Sequence, residues 1–348
     1  MTDKKKSTPK RLMLVAESPK IREQLLVACH SDLRLDIVAL FGSAEAALAF
    51  LQRNEVDIIC FDIELPGING VQFCEEVMAK KPIPMAILAS ASSPFAIRYA
   101  MSAIRAGALE AISYPNDQDI DFAEFVQNFT NLLVLLSEIK FKSEREQPSS
   151  VASSVQTINR ARMLAIGIGA SIGGPKEVVT LLQALEGIEV PIFLVQHLAP
   201  EFLESFVVWL TDATPFEVYL AQDGDIPKPG LVYHPPANYH MELKKGVIRL
   251  SQQNPVSFHR PSISLLFSSL AKSYGASCAG ILLTGIGDDG AQGLKAIHDA
   301  GGLSIVEHES TAIVSGMAQA AMNLGAAASV LPLSEIASFV SHKIGKAS

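Results

Sequence analysis

The sequence predicts two α/β domains joined by a polar segment. Strand-like and helix-like patterns alternate twice along the chain, and a polar stretch separates the two alternations. The length of 348 residues also exceeds that of one ordinary domain. We therefore predict a flexible tail over residues 1–10, a first domain over 11–140, a linker over 141–162 and a second domain over 163–345.

The first domain alternates five short apolar strand patterns with helical ones. Strands are predicted at 12–15, 36–40, 57–61, 85–89 and 111–113, and helices at 21–29, 44–53, 71–79, 96–106 and 122–139. Ser43 is positioned to cap the second of these helices. Such regular alternation predicts a parallel sheet with helices on both faces.

A second α/β pattern follows the linker, which is rich in Ser, Gln, Lys and Glu. Its predicted strands are 164–168, 192–196, 231–234, 279–283 and 303–306, and its predicted helices are 176–185, 201–210, 263–273 and 290–300. This pattern predicts a doubly wound, mostly parallel α/β domain.

Composition excludes several classes of protein. A net charge of −8 leaves no long basic stripe, which argues against a nucleic-acid partner. Apolar runs fall short of the roughly 18–20 residues that span a bilayer, so no membrane insertion is expected. The four cysteines lack metal-type spacing and fit a reducing, cytoplasmic compartment.

A glycine-rich turn opens the second domain and leads into a helix begun by Pro175. A dinucleotide fingerprint fails here, because position 172 is Ile where the third glycine would stand. The turn does match G-x-S-x-G through Gly169, Ser171 and Gly173. Alone, the motif leaves open a nucleophilic serine, a simple turn and an anion site.

Two further loops point to the same edge of the sheet. Among eight histidines, His197 directly follows the predicted strand 192–196, and a loop carrying Asp288 and Asp289 follows the strand 279–283. The paired aspartates are also compatible with a helix cap or a metal site. Because the carboxyl ends of parallel strands meet at one edge, the serine, the histidine and one aspartate are expected to converge. That convergence predicts a serine hydrolase.

Five segments of the second domain carry a family resemblance: GASIGGPKE, QHLAPEF, DGDIPKPGLVYHPPANYHMEL, HRPSISLLF and LTGIGDDGAQGLKAI. In order and spacing, residues 163–335 resemble the catalytic domain of the CheB family of chemotaxis protein-glutamate methylesterases. The first domain resembles the flavodoxin-like receiver domain that precedes it. The resemblance implies Ser171 as nucleophile, His197 as general base and Asp289 as the acid that orients the base, with no cofactor for catalysis.

The resemblance also implies an oxyanion hole, a substrate and partners. The backbone N–H groups of Ile172 and Ile286 are the expected oxyanion donors. The substrates are glutamate methyl esters, and also glutamines for deamidation, on the cytoplasmic helices of chemoreceptors, with a histidine kinase as a further partner. Family members carry Thr at 172, Met at 286 and Asn at 288. A backbone donor survives at 172 and 286, but we expect the lost hydroxyl at Ile172 and the added charge of Asp288 to lower the rate.

The resemblance to a receiver domain is incomplete. Asp62 matches the phosphoacceptor, Glu17 a metal-binding acid, and Ser90 the hydroxyl residue that responds to phosphate. Ala16 replaces the neighbouring acid, and Tyr114 replaces the lysine before a proline. Fewer carboxylates leave Glu17 and Asp62 as a weak Mg²⁺ site, and the missing lysine removes a cation that would pair with the phosphoryl group. We therefore predict a degenerate receiver.

Two alternatives to the flagellar methylesterase remain open. In the first, the chain is a low-turnover regulatory module that retains the fold. In the second, the same enzyme serves a chemosensory system that controls pili instead of flagella. An assay of methanol release from methylated receptor distinguishes the regulatory module from the enzyme. The identity of neighbouring genes distinguishes a pilus system from a flagellar one.

Overall fold

The computed structural model describes residues 8–114, 122–141 and 163–344. The chain divides into two compact units, residues 1–144 and 145–348. Most of the predicted tail and all but the first residue of the predicted linker lie outside the described residues. Within the described residues, no helix combines the length and the apolar character needed to cross a membrane.

The N-terminal unit is a single parallel sheet with helices between its strands. Its strands are β1 (Lys10–Val15), β2 (Leu35–Phe41), β3 (Ile58–Asp62), β4 (Met85–Ser90) and β5 (Glu110–Tyr114), and its helices are α1 (Pro19–His30), α2 (Ala44–Leu51), α3 (Gly70–Lys80), α4 (Pro94–Ala106) and α5 (Phe122–Ser137). The strand order is β2-β1-β3-β4-β5, and every pairing is parallel. This is the flavodoxin-like order, and it confirms the predicted fold class.

Short polar side chains start the helices of this unit. Ser18, Ser43 and Ser93 each accept a hydrogen bond from a backbone N–H in the first helical turn, and Asn69 forms a capping box with Gln72. These side chains satisfy N–H groups that have no partner inside the helix. The predicted cap at Ser43 is confirmed, with Ala46 N as its donor.

The C-terminal unit contains the second sheet. Its strands are β6 (Ala165–Ala170), β7 (Ile192–Gln196), β8 (Glu217–Leu220), β9 (Leu231–His234), β10 (His240–Lys244), β11 (Val247–Ser251), β12 (Cys278–Leu282), β13 (Leu303–Glu307) and β14 (Ser329–Leu331). Its helices are α6 (Gly174–Ala184), α7 (Leu203–Ala213), α8 (Ile263–Tyr274), α9 (Ala291–Asp299), α10 (Gly316–Asn323) and α11 (Leu333–Ile344). Short 3₁₀ turns at Pro200–Phe202 and Gly275–Ser277 precede α7 and β12.

Seven of these strands form a parallel sheet in the order β14-β13-β12-β6-β7-β9-β8. The sequence pattern missed β8, β14, α10, α11 and the antiparallel hairpin of β10 and β11. Several of these are edge or peripheral elements of three to five residues, too short for a clear apolar period. Strand β6 lies between β12 and β7, so the loops that follow these three strands meet at one edge, as predicted.

Helix α8 packs closely against the centre of this sheet. A side chain at Gly167 would approach Leu270 and Phe267 to 2.6 and 3.0 Å, and one at Gly293 of α9 would approach Phe267 to 2.7 Å. Glycine at these positions therefore lets α8 approach both the strand and the neighbouring helix. The ring of Phe267 fills the space between them and is fully buried.

Phe267→Ala is expected to destabilise the C-terminal unit by about 3–5 kcal/mol, because it empties a ring-sized volume that the surrounding glycines cannot fill. Urea unfolding followed by tryptophan fluorescence measures this loss, since Trp209 lies in the same unit. Lys272→Ala, an exposed change on the same helix, serves as the control and should shift stability by less than about 0.5 kcal/mol. Equal effects of the two changes would contradict the assignment.

Candidate active site

Ser171 lies in a tight turn between β6 and α6. All of β6 is buried, and the chain turns sharply at Gly173, whose φ of +77° suits glycine. A side chain at Gly173 would also approach Ile313 to 2.9 Å. Ser171 is 7% exposed, and α6 begins three residues later with Pro175 in its first turn. The predicted strand–turn–helix context of the serine is confirmed.

The loop after β12 holds this turn in place. Ser171 N donates to Thr284 O at 3.0 Å, and Thr284 Oγ1 donates to Ile172 O at 3.0 Å. The next residue, Gly285, has no room for a side chain, since a Cβ there would lie 2.7 Å from Ser171 Cβ. Gly285 thus brings the backbone of the loop against the serine side chain.

His197 follows β7 and lies beside the serine turn. Its backbone N–H donates to Ala170 O at 3.0 Å, which ties the histidine to the residue before Ser171. Its Nε2 lies 3.1 Å from Asp289 Oδ2. Its Nδ1 is buried and has no hydrogen-bond partner among the described residues. With the proton on Nε2, toward the carboxylate, Nδ1 carries the lone pair that can accept a proton.

Asp289 is the most highly coordinated side chain of the site. Besides His197, its carboxylate accepts hydrogen bonds from Ser262 Oγ (2.9 Å), Ile263 N (2.8 Å), Ser264 N (3.0 Å) and Gly290 N (2.9 Å). Two of these donors are the first N–H groups of α8, so the carboxylate also meets the positive end of that helix. Burial raises the pKa of Asp289, but the bonds from His197, Ser264 and Ile263 outweigh it and leave the pKa well below its usual range.

A buried glutamine joins the serine turn to the histidine. Gln196 Nε2 donates to Ser171 O and to His197 O, each at 2.8 Å. Its backbone N–H donates to His234 Nε2 at 3.2 Å. Burial lowers the pKa of His234 to about 4, so the ring is neutral and its Nδ1–H donates to Pro235 O. His234 therefore has a structural role.

A second histidine covers the face of His197. The rings of His197 and His259 stack with centroids 3.9 Å apart and an interplanar angle of 9°. Burial and the neighbouring His197 lower the pKa of His259 to about 4. A neutral ring in this position restricts the orientation of His197 without adding a positive charge beside it.

The backbone N–H groups of Ile172 and Ile286, the predicted oxyanion donors, have no acceptor among the described residues. They belong to the two loops that Thr284 ties together. The two aspartates of the second loop differ sharply: Asp289 is 1% exposed, whereas Asp288 is exposed. Solvent therefore screens the negative charge that Asp288 adds.

Comparisons with known proteins decide the family. A model of the CheB methylesterase family matches residues 166–340, and one of the response regulator receiver domain matches residues 12–121. The protein-glutamate methylesterase/protein-glutamine glutaminase 2 of Paramagnetospirillum magneticum is 35% identical over 94% of this chain and 95% of its own length. This chain belongs to the CheB methylesterase family. A relative of the same description from Nitrosospira multiformis is 33% identical over 96% of this chain and 97% of its own.

A solved structure agrees with this membership. The CheB methylesterase catalytic domain of Thermotoga maritima is 29% identical and superposes with a TM-score of 0.50, covering 52% of this chain and 99% of that one. The recognition from sequence and the predicted two-domain α/β class are thus confirmed.

The receiver domain of this CheB family member has an acidic turn at the end of β3. Burial raises the pKa of Asp62, and the charges of Glu64 and Glu17 raise it further against a hydrogen bond from Glu64 N. Ser90 Oγ lies 2.9 Å from Ser92 Oγ. Within the described residues, no group of three or more His, Cys, Asp or Glu side chains is arranged to hold a metal.

The two positions that depart from the receiver pattern, Ala16 and Tyr114, lie after β1 and at the end of β5, and each has defined contacts. Next to Ala16, Arg22 Nη1 donates to the backbone oxygens of Ala16 and Glu17, at 2.7 and 2.6 Å. Tyr114 donates its hydroxyl to Gln24 Oε1, and its ring packs edge-on against Phe125, with centroids 5.8 Å apart. The tyrosine is thus engaged by α1 and α5, and position 114 supplies no cation.

Sequence reasoning missed the residues that hold the three predicted ones together. Gln196, His259, Ser262 and Thr284 all lie inside the five family-like segments, yet none was given a role. Their roles depend on contacts between loops distant in sequence. Only Ser262 carried a local signal, as a serine directly before a helical pattern.

Asp289→Asn is expected to lower the free energy of unfolding by about 2–4 kcal/mol at pH 7, because an amide cannot satisfy five donors as a carboxylate does. The lowered pKa of Asp289 means that its stabilisation is present above the usual carboxyl range and is lost as the pH falls through the lowered value. The difference in the free energy of unfolding between wild type and Asp289→Asn should therefore become smaller below about pH 4. Urea unfolding from pH 7 downward measures it.

Asp288→Asn is the matched control, since Asp288 is the exposed neighbour. It should change stability by less than about 0.5 kcal/mol. A loss for Asp289→Asn that stays constant down to acidic pH would show that the ionised carboxylate is not its source.

Proposed function

We propose that this protein hydrolyses glutamate methyl esters on chemoreceptors, with Ser171 as nucleophile, His197 as general base and Asp289 as the residue that orients the base. The observation that carries the proposal is the pairing of His197 Nε2 with Asp289, beside the serine turn, while Nδ1 stays unpartnered. The names of the full-length relatives support this substrate and reaction.

The first half of the reaction forms an acyl-enzyme. Ser171 Oγ attacks the ester carbonyl carbon while His197 Nδ1 takes the hydroxyl proton. The imidazolium that results is paired with the Asp289 carboxylate, whose low pKa keeps it ionised. Collapse of the tetrahedral intermediate breaks the bond to the methoxy oxygen, and His197 returns the proton to methanol as it leaves.

The second half regenerates the serine. Water attacks the acyl carbon, again with His197 as base, and the products are a free glutamate side chain and Ser171. In both halves the charge on the carbonyl oxygen is met by the N–H groups of Ile172 and Ile286 and by the N-terminus of α6. Backbone donors serve this purpose with any side chain, so Ile at 172 and 286 is compatible with the oxyanion hole.

Deamidation of glutamine follows the same path, with ammonia leaving in place of methanol. The proposed substrates are the methylated cytoplasmic helices of chemoreceptors, which makes the reaction a step of adaptation in a chemosensory pathway. Such substrates imply a cytoplasmic location. The receiver domain connects the enzyme to a histidine kinase of that pathway.

Ser171→Ala is expected to reduce methanol release from a methylated receptor by at least about 10³-fold, because no other group can form the acyl-enzyme. Methanol is measured over time with wild type, the variant and Ser338→Ala, an exposed serine of α11. The last should match wild type. Equal release by wild type and Ser171→Ala would remove the esterase assignment and favour a regulatory module without turnover.

We further propose that the receiver domain is not an efficient phosphoacceptor, because Ala16 and Tyr114 leave Asp62 without the usual metal ligand and cation. Wild type incubated with a small-molecule acyl phosphate and Mg²⁺ should show little mass gain by intact-mass spectrometry. A variant with Ala16→Asp and Tyr114→Lys should gain one phosphoryl group at Asp62. Stoichiometric phosphate on wild-type Asp62 would overturn the proposal.

A further inference from the structure

Two glutamates are buried behind the serine turn. Glu177 lies in the first turn of α6 and is 6% exposed, and Glu307 ends β13 and is fully buried. Their carboxyl groups contact each other. The catalytic scheme above uses neither of them. A buried carboxylate is costly unless it is paired, so two in contact require an explanation.

Both carboxyl groups accept hydrogen bonds, that of Glu177 from the backbone N–H groups of Ile313 and Thr284. Glu307 Oε2 accepts from Thr284 N at 3.2 Å, and its carboxyl group is also bonded by the Thr311 side chain. Glu177 Oε2 and Glu307 Oε1, by contrast, are buried oxygens that no N–H or O–H of the described residues reaches. A proton between the two carboxyl groups would satisfy one oxygen of each.

No cation neutralises the pair. Within the described residues no Lys, Arg or His lies within ion-pair distance of either carboxyl group. Four ionisable groups of the surrounding elements contact other residues: His308 contacts Ser310, His298 contacts Ser304, Lys295 pairs with Asp299, and Lys343 lies over the ring of Phe339. The others are exposed to solvent: Lys176, Glu201, Glu204, Asp212, Glu335 and His342. Like charges in contact then favour one retained proton.

The retained proton belongs to the pair. Burial raises the pKa of both glutamates, and the contact with Glu307 raises that of Glu177 further. Donors favour the ionised form of each, Thr284 and Thr311 for Glu307 and Ile313 and Thr284 for Glu177, so one of the two can remain ionised. The two carboxyl groups are therefore expected to share one proton, as other paired buried carboxyls do.

The pair bears directly on the residue that organises the active site. The N–H of Thr284 donates to Glu307 Oε2, and its carbonyl oxygen accepts from Ser171 N. Its hydroxyl accepts from Val314 N at 2.8 Å and donates to Ile172 O. Of the two candidate oxyanion donors, Ile172 accepts a hydrogen bond from Thr284, and Ile286 lies two positions after Thr284 in the chain. A shift of Thr284 would move the serine turn and the 285–286 backbone together.

We propose that Glu177 and Glu307 share one proton and act as positioning residues, holding Thr284 so that Ser171 and the oxyanion donors keep their reactive geometry. This inference rests on the proposed esterase function for its kinetic part, and on the structure alone for the shared proton. An amide can replace one carboxyl group of the pair, because the NH₂ of a glutamine at 177 can donate to the Glu307 carboxylate.

The kinetic test compares Glu177→Gln with Glu177→Ala in the full-length protein, using methanol release from methylated receptor. Glu177→Gln should retain kcat within about threefold, whereas Glu177→Ala should lower kcat by about 10-fold or more with little change in KM, since misplaced groups lose rate before binding. Leu182→Ala, a buried truncation on the same helix, controls for general destabilisation and should keep kcat. Wild-type kcat in Glu177→Ala would overturn the positioning role, and so would equal losses in Glu177→Gln and Glu177→Ala.

The test of the proton uses thermal unfolding and needs no activity. In the folded wild type the pair keeps one proton, whereas in the unfolded chain both glutamates release theirs above their ordinary pKa. The free energy of unfolding of wild type therefore falls as the pH rises. Glu177→Gln carries no such proton. The difference in Tm between Glu177→Gln and wild type should therefore grow by several degrees from pH 5 to pH 9. A difference that stays constant would overturn the shared proton.

These two tests separate the possible failures. If wild type releases no methanol while the Tm difference still grows with pH, the proposed esterase function fails and the shared proton is supported. If Glu177→Gln does not fold, Glu307→Gln takes its place in the pH series, where its Tm difference from wild type should grow in the same direction. A constant difference there would overturn the pair.

Discussion

The hydrogen bonds to the Asp289 carboxylate are the interactions on which the rest of the candidate active site depends. The carboxylate joins His197 to the N-terminus of α8, a helix that packs across the centre of the sheet. The orientation of the His197 ring is thereby tied to the core of the domain. Because the carboxylate has five donors, it remains ionised in a buried environment and can stabilise positive charge on the histidine.

The sheet order explains why such distant residues meet. β6 is flanked by β12 and β7, so three loops separated by up to about 120 residues of chain end side by side. Close contact between the loops after β6 and β12 then requires a residue without a side chain, and Gly285 supplies it. Thr284 and Gln196 complete the arrangement by bonding one loop to the next through backbone atoms.

Much of this was accessible from sequence, and the reason is physical. Ser171, His197 and Asp289 each follow a strongly apolar strand, and the carboxyl ends of parallel strands share one edge. The supporting residues had no such signal. The stacking of His259 on His197 depends on the loop before α8, and the contact of Glu177 with Glu307 joins a helix to a strand 130 positions away. Periodicity reports local structure, so short edge strands and contacts between loops were missed.

The central claim is that His197, held by Asp289, activates Ser171. A fluorophosphonate reagent tests it directly, because it reacts with an activated serine and the adduct is located by peptide mass spectrometry. The account predicts a single adduct on Ser171 that forms at least about 10²-fold more slowly in His197→Gln. Labelling of Ser171 at the same rate in wild type and His197→Gln, or labelling at another serine, would contradict it.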